Sequence, residues 1–230
     1  MNTNLRTKIM AGTLGVVVLS SLGGITAARA AAAAAAAPAV AAAPINTQDP
    51  TQLIQDVASN ILKELDANRS AYVNNPKNVR ALADKYLLPY FDTRYSAQLV
   101  LGKSWRAATE DQRARFIAAF QDSMLQNYGN ALVNFTANKL KVQPGRVDPA
   151  SDLATVNTTI MRDNGTTIPV IYVLHKTPEG WKAWDVKIEG ISYVKSFRDD
   201  FAAQIDQKGL DSVIARLQSG EKPAALPAAK

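Results

Sequence analysis

The hydrophobic pattern of this chain changes near residue 139, and that change limits the folds available to it. Before this point apolar residues recur every three to four positions, as in Leu53, Val57, Ile61 and Leu65, which is the period of an amphipathic helix. After it, apolar and polar residues alternate in short segments separated by turn residues, which is typical of strands. A run of helices followed by a run of strands indicates the α+β class, in which helices cover an antiparallel sheet.

Capping residues set the boundaries of the predicted helices. Asp49–Gln52 and Asn75–Pro76 each place a capping side chain before a proline that suits the first turn, and Gln52 is expected to complete a capping box. A third helix is predicted over Phe91–Leu101, with Asp92 near its start as a cap. Thr109–Gln112 is a second capping box and opens a long apolar helix. Two further helices are predicted after the strands.

The strands are predicted as an antiparallel meander. The four predicted strands are Lys139–Val142, Ala154–Met161, Ile168–Leu174 and Trp181–Glu189. Asp163–Gly165 is a strong hairpin turn, and Pro178–Gly180 is a second turn. The fold class predicted from these elements is α+β: a twisted antiparallel four-stranded sheet with one face covered by several helices.

One predicted strand is apolar on both faces, because Ile168, Val170, Tyr172 and Leu174 alternate with Ile171 and Val173. An antiparallel sheet with one solvated face should alternate more cleanly. Two interpretations remain: a thick core with this strand covered on both sides, or an apolar ligand pocket between the sheet and the helices. The pattern alone favours the thick core.

The two ends of the chain are expected to lie outside the folded domain. Arg6 and Lys8, the apolar run Met10–Val18 and the site Ala28–Ala30 together are typical of a signal peptide over residues 1–30. The apolar run is shorter than the roughly 20 residues of a membrane span, so the mature chain is not expected to span a membrane. We predict an Ala/Pro-rich leader over 31–46, the domain over 47–219 and a tail over 220–230.

The composition gives little support for catalysis, metal binding or nucleic-acid binding. The chain has 26 Lys and Arg against 20 Asp and Glu, no cysteine and one histidine. The excess of positive charge is mild and scattered, whereas nucleic-acid binding needs a concentrated basic face. The cysteine and histidine counts rule out a Cys/His metal cluster. Asp185 alternates with apolar neighbours and is expected on the exposed face of its strand. We therefore predict a protein that is not an enzyme and has no cofactor.

Several separate blocks of sequence resemble one known family. The blocks are Tyr90–Asp92, Leu101–Arg106, Gln112–Arg113 with Phe116, Trp184–Val186, Glu189–Ser192 and Phe197–Arg198 with Phe201. In this order they resemble the MlaC-type, or toluene-tolerance, family. The resemblance extends over residues 52–217, which is nearly the whole predicted domain.

The resemblance implies a function and a location. Members of this family are periplasmic carriers that pass phospholipid between an outer-membrane lipoprotein complex and an inner-membrane transporter with an MCE-type subunit. This transfer maintains the lipid asymmetry of the outer membrane. Their fold is similar to the nuclear-transport-factor-2 type with extra helices, and the acyl tails of the bound diacyl phospholipid lie inside. The resemblance therefore favours the pocket over the thick core.

The lining candidates are hydrophobic residues expected between the helices and the sheet. They are Leu99, Phe116, Phe120, Val156, Tyr172, Leu174, Trp184, Val186, Ile188, Tyr193 and Phe201. Arg94, Arg106 and Arg113, if exposed, suit acidic head groups or partner proteins. Two alternatives stay open. One is an isomerase, which would place a buried Asp beside Tyr172 or Tyr193; the other is an interaction module without a ligand.

Overall fold

The computed structural model describes residues 42–73, 75–133, 139–162 and 164–221, except the side chains of residues 128, 130 and 131. The predicted signal peptide, most of the leader and most of the tail lie outside the described residues. The helices are α1 (Pro50–Tyr72), α2 (Pro76–Tyr86), α3 (Thr93–Leu101), α4 (Lys103–Ala107), α5 (Glu110–Val133), α6 (Tyr193–Lys208) and α7 (Leu210–Gln218). A short 3₁₀ turn over Leu88–Tyr90 joins α2 to α3.

The strands form one antiparallel sheet in the described part of the chain. They are β1 (Leu140–Val142), β2 (Arg146–Asp148), β3 (Leu153–Met161), β4 (Thr167–Thr177), β5 (Gly180–Ile188) and β6 (Ile191–Ser192). The order is β1-β3-β4-β5-β6, and β2 pairs with β3 beside β1. The predicted α+β class and the meander are confirmed, and the two strands not predicted, β2 and β6, are only two or three residues long.

The helix starts follow the predicted caps. Asp49, Asn75 and Asp92 each accept a hydrogen bond from the backbone N–H three residues later. Thr109 and Gln112 exchange hydrogen bonds of 3.1 Å between side chains and backbone N–H groups, which is the predicted capping box. The capping box expected at Gln52 is wrong, because its side chain donates forward to Asp56 instead.

Two apolar cores stabilise the fold. The first joins one face of β3, β4 and β5 to α1 and α2, and its buried members include Leu53, Leu65, Val156 and Leu174. The second is formed among α3 to α7, and its buried members include Phe116, Phe197, Phe201 and Ile214. Burial of large side chains of this kind contributes about 1.5–3 kcal/mol each, so both cores contribute substantially to stability.

The sheet carries helices on both faces, whereas the sequence predicts one covered face. Leu174 of β4 lies in the first core, and its neighbour Val173, which points to the opposite face, is also buried. On that opposite side, His175 contacts Asp92 at the start of α3. The middle of β4 is therefore buried from both sides, which explains why its sequence is apolar at successive positions.

A β-bulge in β5 changes which of its residues share a face. Ala183 pairs with Leu174, and Val186 pairs with Tyr172, although three positions separate the two β5 residues and only two separate their partners. Trp184 is the extra residue. The expectation that Asp185 lies on an exposed face is wrong: Asp185 pairs with Val173 and is 2% exposed.

The residues just before α1 are bound to the body of the protein. The backbone of Ala43 exchanges two hydrogen bonds, of 3.0 and 2.9 Å, with the side-chain amide of Asn60. The carbonyl of Thr47 accepts a 2.7 Å hydrogen bond from the backbone N–H of Trp181 in β5. Ile45 packs against the first core. This segment thus contacts both α1 and the sheet.

Candidate functional site

One face of the sheet carries an apolar strip that is only partly buried. Val156, Tyr172 and Val186 lie in register across β3, β4 and β5. One step further along, Thr158, Val170 and Ile188 are in register in the same way. Because side chains two positions apart share a face, these residues lie on the side of the sheet that carries Leu174 and the first core.

Burial along this face of the sheet is uneven. Val156, Thr158 and Val170 are buried, whereas Tyr172, Val186 and Ile188 are half-buried. Ile160 and Ile168, a register pair at the end of β3 and β4, are half-buried too. We call the set Ile160, Ile168, Tyr172, Val186 and Ile188 the apolar strip. It offers large side chains whose burial is incomplete, which is the kind of surface that an apolar ligand covers.

The eleven lining candidates fall into two groups in the structure. Val156, Tyr172, Leu174, Val186 and Ile188 share the face of the strip. Phe116, Phe120, Tyr193 and Phe201 belong to or pack against the second core. Leu99 is half-buried on α3, and Trp184 is half-buried at the bulge. Sequence periodicity selects apolar residues correctly but does not show which element packs against which.

Four phenylalanines of the second core pack against one another. Phe116 stacks on Phe120 with ring centroids 5.6 Å apart, and Phe120 meets Phe197 edge to face at 5.1 Å. Phe201 lies within 6.2 Å of the other three rings. Such pairs stabilise a core beyond the area that they bury. Of these four phenylalanines, only Phe120 is half-buried. The ring of Tyr193 meets the ring of Phe197 edge to face, with centroids 6.2 Å apart.

Polar groups in the strip are satisfied by their neighbours. The hydroxyl of Thr158 donates a 3.1 Å hydrogen bond to the carbonyl of Val170. Burial raises the pKa of the Tyr172 phenol, and a hydrogen bond with Thr158 acts in the opposite direction. Ile160, Ile168 and Thr158 lie outside the predicted lining, although Ile160 and Thr158 continue the alternation of the predicted strand that includes Val156.

Trp184 belongs to a different cluster from Val186. Its ring meets Tyr95 edge to face at 5.6 Å, and Tyr95 stacks on His175 at 4.5 Å. Nε2 of His175 lies 3.1 Å from Oδ2 of Asp92, whose other oxygen caps α3. Nε1 of Trp184 is buried and contacts no acceptor among the described residues. This cluster ties α3 to β4 and β5.

Asp185 is buried, as the isomerase alternative expects of an aspartate, but both of its oxygens are bound to the turn before α6. Its Oδ2 accepts a 2.6 Å hydrogen bond from the hydroxyl of Ser192, and its Oδ1 accepts a 3.0 Å bond from the backbone N–H of Val194. Both oxygens therefore hold the turn that leads from β6 into α6. Negative charge at this place also suits the start of a helix.

The three arginines considered for head groups or partners differ in exposure. Arg94 and Arg106 are exposed. Arg113 is partly buried, and its Nε donates a 2.9 Å hydrogen bond to the carbonyl of Trp105. The guanidinium groups of Arg94 and Arg113 lie 5.4 and 5.2 Å from the Trp105 ring, within the range of cation–π attraction. Trp105 is itself buried in the second core, as a packing residue.

The described residues contain no group of three or more His, Cys, Asp or Glu side chains that could hold a metal ion. In the same part of the chain, every helix is too short or too polar to cross a bilayer. The candidate site on the sheet is the apolar strip, because it includes three of the predicted lining residues, Tyr172, Val186 and Ile188, on one face.

Comparison with known proteins identifies relatives along most of the chain. The toluene tolerance protein ttg2D of Pseudomonas putida is 32% identical over 176 residues, which cover 75% of this chain and 81% of that protein. The intermembrane phospholipid transport system binding protein MlaC of Haemophilus influenzae is 24% identical over 173 residues, 74% of this chain and 80% of that protein.

A solved structure shares the fold. It is the phospholipid-binding protein of Ralstonia solanacearum in complex with a phospholipid, with a TM-score of 0.68 and 23% identity. The match covers 75% of this chain and 96% of that one. The sequence profile described as MlaC protein matches residues 55–219, which include all seven helices in part or whole and the entire sheet. On this evidence the chain belongs to the MlaC family.

Proposed function

We propose that this protein is a periplasmic carrier that shuttles phospholipid between the outer and inner membranes and so maintains the asymmetry of the outer membrane. Membership of the MlaC family supports this proposal. Two of its relatives support it too: one is the binding protein of an intermembrane phospholipid transport system, and the other is a phospholipid-binding protein solved in complex with a phospholipid. The single structural observation that carries the proposal is the apolar strip, whose five large side chains are left half-buried on one face of the sheet.

The energetics of the ligand suit a carrier. Each buried methylene contributes about 0.8 kcal/mol, so two acyl tails of about 16 carbons represent a gross gain of roughly 25 kcal/mol. This gain exceeds the practical limit of about 21 kcal/mol for non-covalent affinity. The tails leave a bilayer rather than water, however, so the net preference for the protein is small. Transfer in either direction is then decided by the partner at each membrane.

The partners follow from the same proposal. An MCE-type subunit of an inner-membrane transporter and a lipoprotein complex of the outer membrane would exchange lipid with the carrier. Arg94 and Arg106 are exposed and suit acidic groups on a partner or a lipid head group. We further propose cleavage of residues 1–30 on export and a lipid-binding domain over 47–219.

Mass spectrometry of the intact protein tests the proposal. The protein is purified from periplasm under gentle conditions and measured in its native state. We expect an added mass equal to one diacyl phospholipid, which organic extraction removes. A protein that carries only its polypeptide mass before extraction would contradict the proposal and would favour the interaction module without a ligand.

A further inference from the structure

A cleft lined by α1 and α2 shares no residue with the apolar strip. Its volume is about 240 Å³, and no strand residue lines it. The lining residues are Glu64, Asn68, Ala71, Tyr72, Asn78, Ala81, Leu82, Lys85 and Tyr86. The backbone of α1 departs from helical geometry at Asn68 (φ −135°, ψ 24°), one turn after Glu64. This departure lies within the wall of the cleft.

A buried carboxylate lies in the wall of this cleft. Glu64 is 6% exposed, and burial of an acidic side chain to this degree is rare unless the charge is compensated. Its Oε1 accepts hydrogen bonds from Tyr72 Oη at 2.8 Å and Asn68 Nδ2 at 3.1 Å. Its Oε2 accepts one from Tyr86 Oη at 3.1 Å. Every one of these three donors is neutral, so none of them balances the charge.

Glu64 is ionised at neutral pH. Burial acts to raise its pKa, but the hydrogen bonds from Tyr72, Asn68 and Tyr86 and the charge of Lys85 together hold the pKa below its ordinary value. The cleft therefore presents a negative charge beside two tyrosine rings. This combination of an anion and aromatic faces recognises a cation.

The chain already places one cation at this site, but only loosely. Nζ of Lys85 lies 3.9 Å from Oε2 of Glu64 and 4.6 Å from the centre of the Tyr86 ring. Its side chain is 47% exposed, and an ion pair of this kind is worth about 0–1 kcal/mol. The position of Lys85 thus shows that the site accepts an ammonium group. Because its ion pair with Glu64 is weak, another cation can compete with Lys85 for the site.

From these contacts we infer that the cleft binds a small primary alkylammonium group, with Glu64 as the counter-ion, Tyr72 and Tyr86 as aromatic walls and Lys85 as an internal competitor. The ammonium of the ligand takes the place of Lys85 Nζ, and its alkyl part lies against Leu82, Ala71 and Ala81, which line the cleft. The group could come from a free amine or from the head group of a lipid, and the chemistry of recognition is the same for both.

The test uses the purified full-length mature protein labelled with ¹⁵N and titrated with n-butylammonium chloride, followed by amide chemical shifts. We expect saturable shifts confined to α1 and α2, and no such shifts with n-butanol at the same concentrations. Lys85→Ala removes the internal competitor and should tighten binding of n-butylammonium about three- to fivefold, the factor that corresponds to a weak ion pair. Equal responses to n-butanol, or unchanged or weaker binding by Lys85→Ala, would overturn the inference.

A second variant tests the counter-ion. Glu64→Gln keeps the size of the side chain and removes its charge, so the folded variant should lose the response to n-butylammonium. Retained binding would overturn the assignment of Glu64, and if the variant does not fold, the result for Lys85→Ala decides. Titration with ethanolamine and with glycerophosphoethanolamine then separates the two sources of the ammonium group. Tighter binding of glycerophosphoethanolamine assigns the site to a lipid head group. Tighter binding of ethanolamine assigns it to free amines.

Discussion

The hydroxyl of Ser192 donates a 2.6 Å hydrogen bond to the buried carboxylate of Asp185. The same hydroxyl oxygen accepts a hydrogen bond from the backbone N–H of Lys195 and so caps α6. With the bond from the Val194 N–H to Asp185, this relay fixes the direction in which α6 leaves the sheet. The second core depends on that direction, because Phe197 and Phe201 are on α6.

Replacing Asp185 should therefore destabilise the fold. Asp185→Asn keeps the shape of the side chain but loses the charge and one of the two acceptor oxygens. A hydrogen bond to a charged group contributes about 1.5–3 kcal/mol, so we expect a loss of about 2 kcal/mol in the free energy of unfolding, measured in urea. Asp199→Asn, at an exposed position in the same helix, is the control and should change the free energy of unfolding by no more than about 0.5 kcal/mol. Equal stability of the two variants would contradict this role of Asp185.

A charge placed in the apolar strip should release the lipid. Val186→Glu puts a carboxylate among the half-buried residues of the strip, and tails that lie against it would have to desolvate that charge, which costs several kcal/mol. We expect the variant to keep its circular dichroism and to lose bound phospholipid in native mass spectrometry. Lys187→Glu introduces the same group one residue further along, on the opposite face of β5, and should keep its lipid. Unchanged lipid content in Val186→Glu would remove this residue from the lining.

Gly180 should not tolerate a side chain. Its φ is +112°, and a Cβ there would lie 2.5 Å from the carbonyl oxygen of Thr47. Gly190 also has a positive φ, +84°, but a Cβ there would meet no described atom within 4 Å. Left-handed backbone strain costs about 1–3 kcal/mol, so Gly190→Ala should show that strain alone. Thermal or urea unfolding should show a clearly larger loss of stability for Gly180→Ala than for Gly190→Ala. Equal losses would show that Thr47 moves aside at little energetic cost.

The lowered pKa of Glu64 predicts a pH dependence of stability. A carboxyl whose pKa is lower in the folded than in the unfolded chain stabilises the fold fully above its ordinary pKa of 4.5, and this contribution is lost as the pH falls through the folded pKa. Wild-type protein should therefore lose more stability between pH 6 and pH 3 than Glu64→Gln does. The measurement is urea unfolding at both values. The same loss in both proteins would show that Glu64 does not contribute to acid sensitivity.

Local sequence signals predict the helices and strands well. Features that depend on contacts between distant parts of the chain are predicted less well. Asn75 and Pro76 fix the start of α2 because a cap and a proline act on their own neighbours. The bulge at Trp184 depends on pairing with β4, so the sequence of β5 does not show that Trp184 leaves the face of Val186. Asp185 lies opposite Val186, as the alternation predicts, but it is buried because α3 and α6 cover that face. The lining candidates depend on both kinds of signal. Alternation selected Val186 and Ile188, whereas nothing in the helical period shows that Phe116 packs on Phe201 rather than on the sheet.

The segment before α1 sets how far the chain can be shortened from its N-terminal side. Ala43 is paired with Asn60, and Thr47 is paired with Trp181, so loss of either residue removes hydrogen bonds to the rest of the fold. Trimming by a protease beyond Ala43 would leave the side-chain amide of Asn60 without these partners, and trimming beyond Thr47 would expose the backbone N–H of Trp181. Proteolysis that ends before Ala43 keeps both contacts.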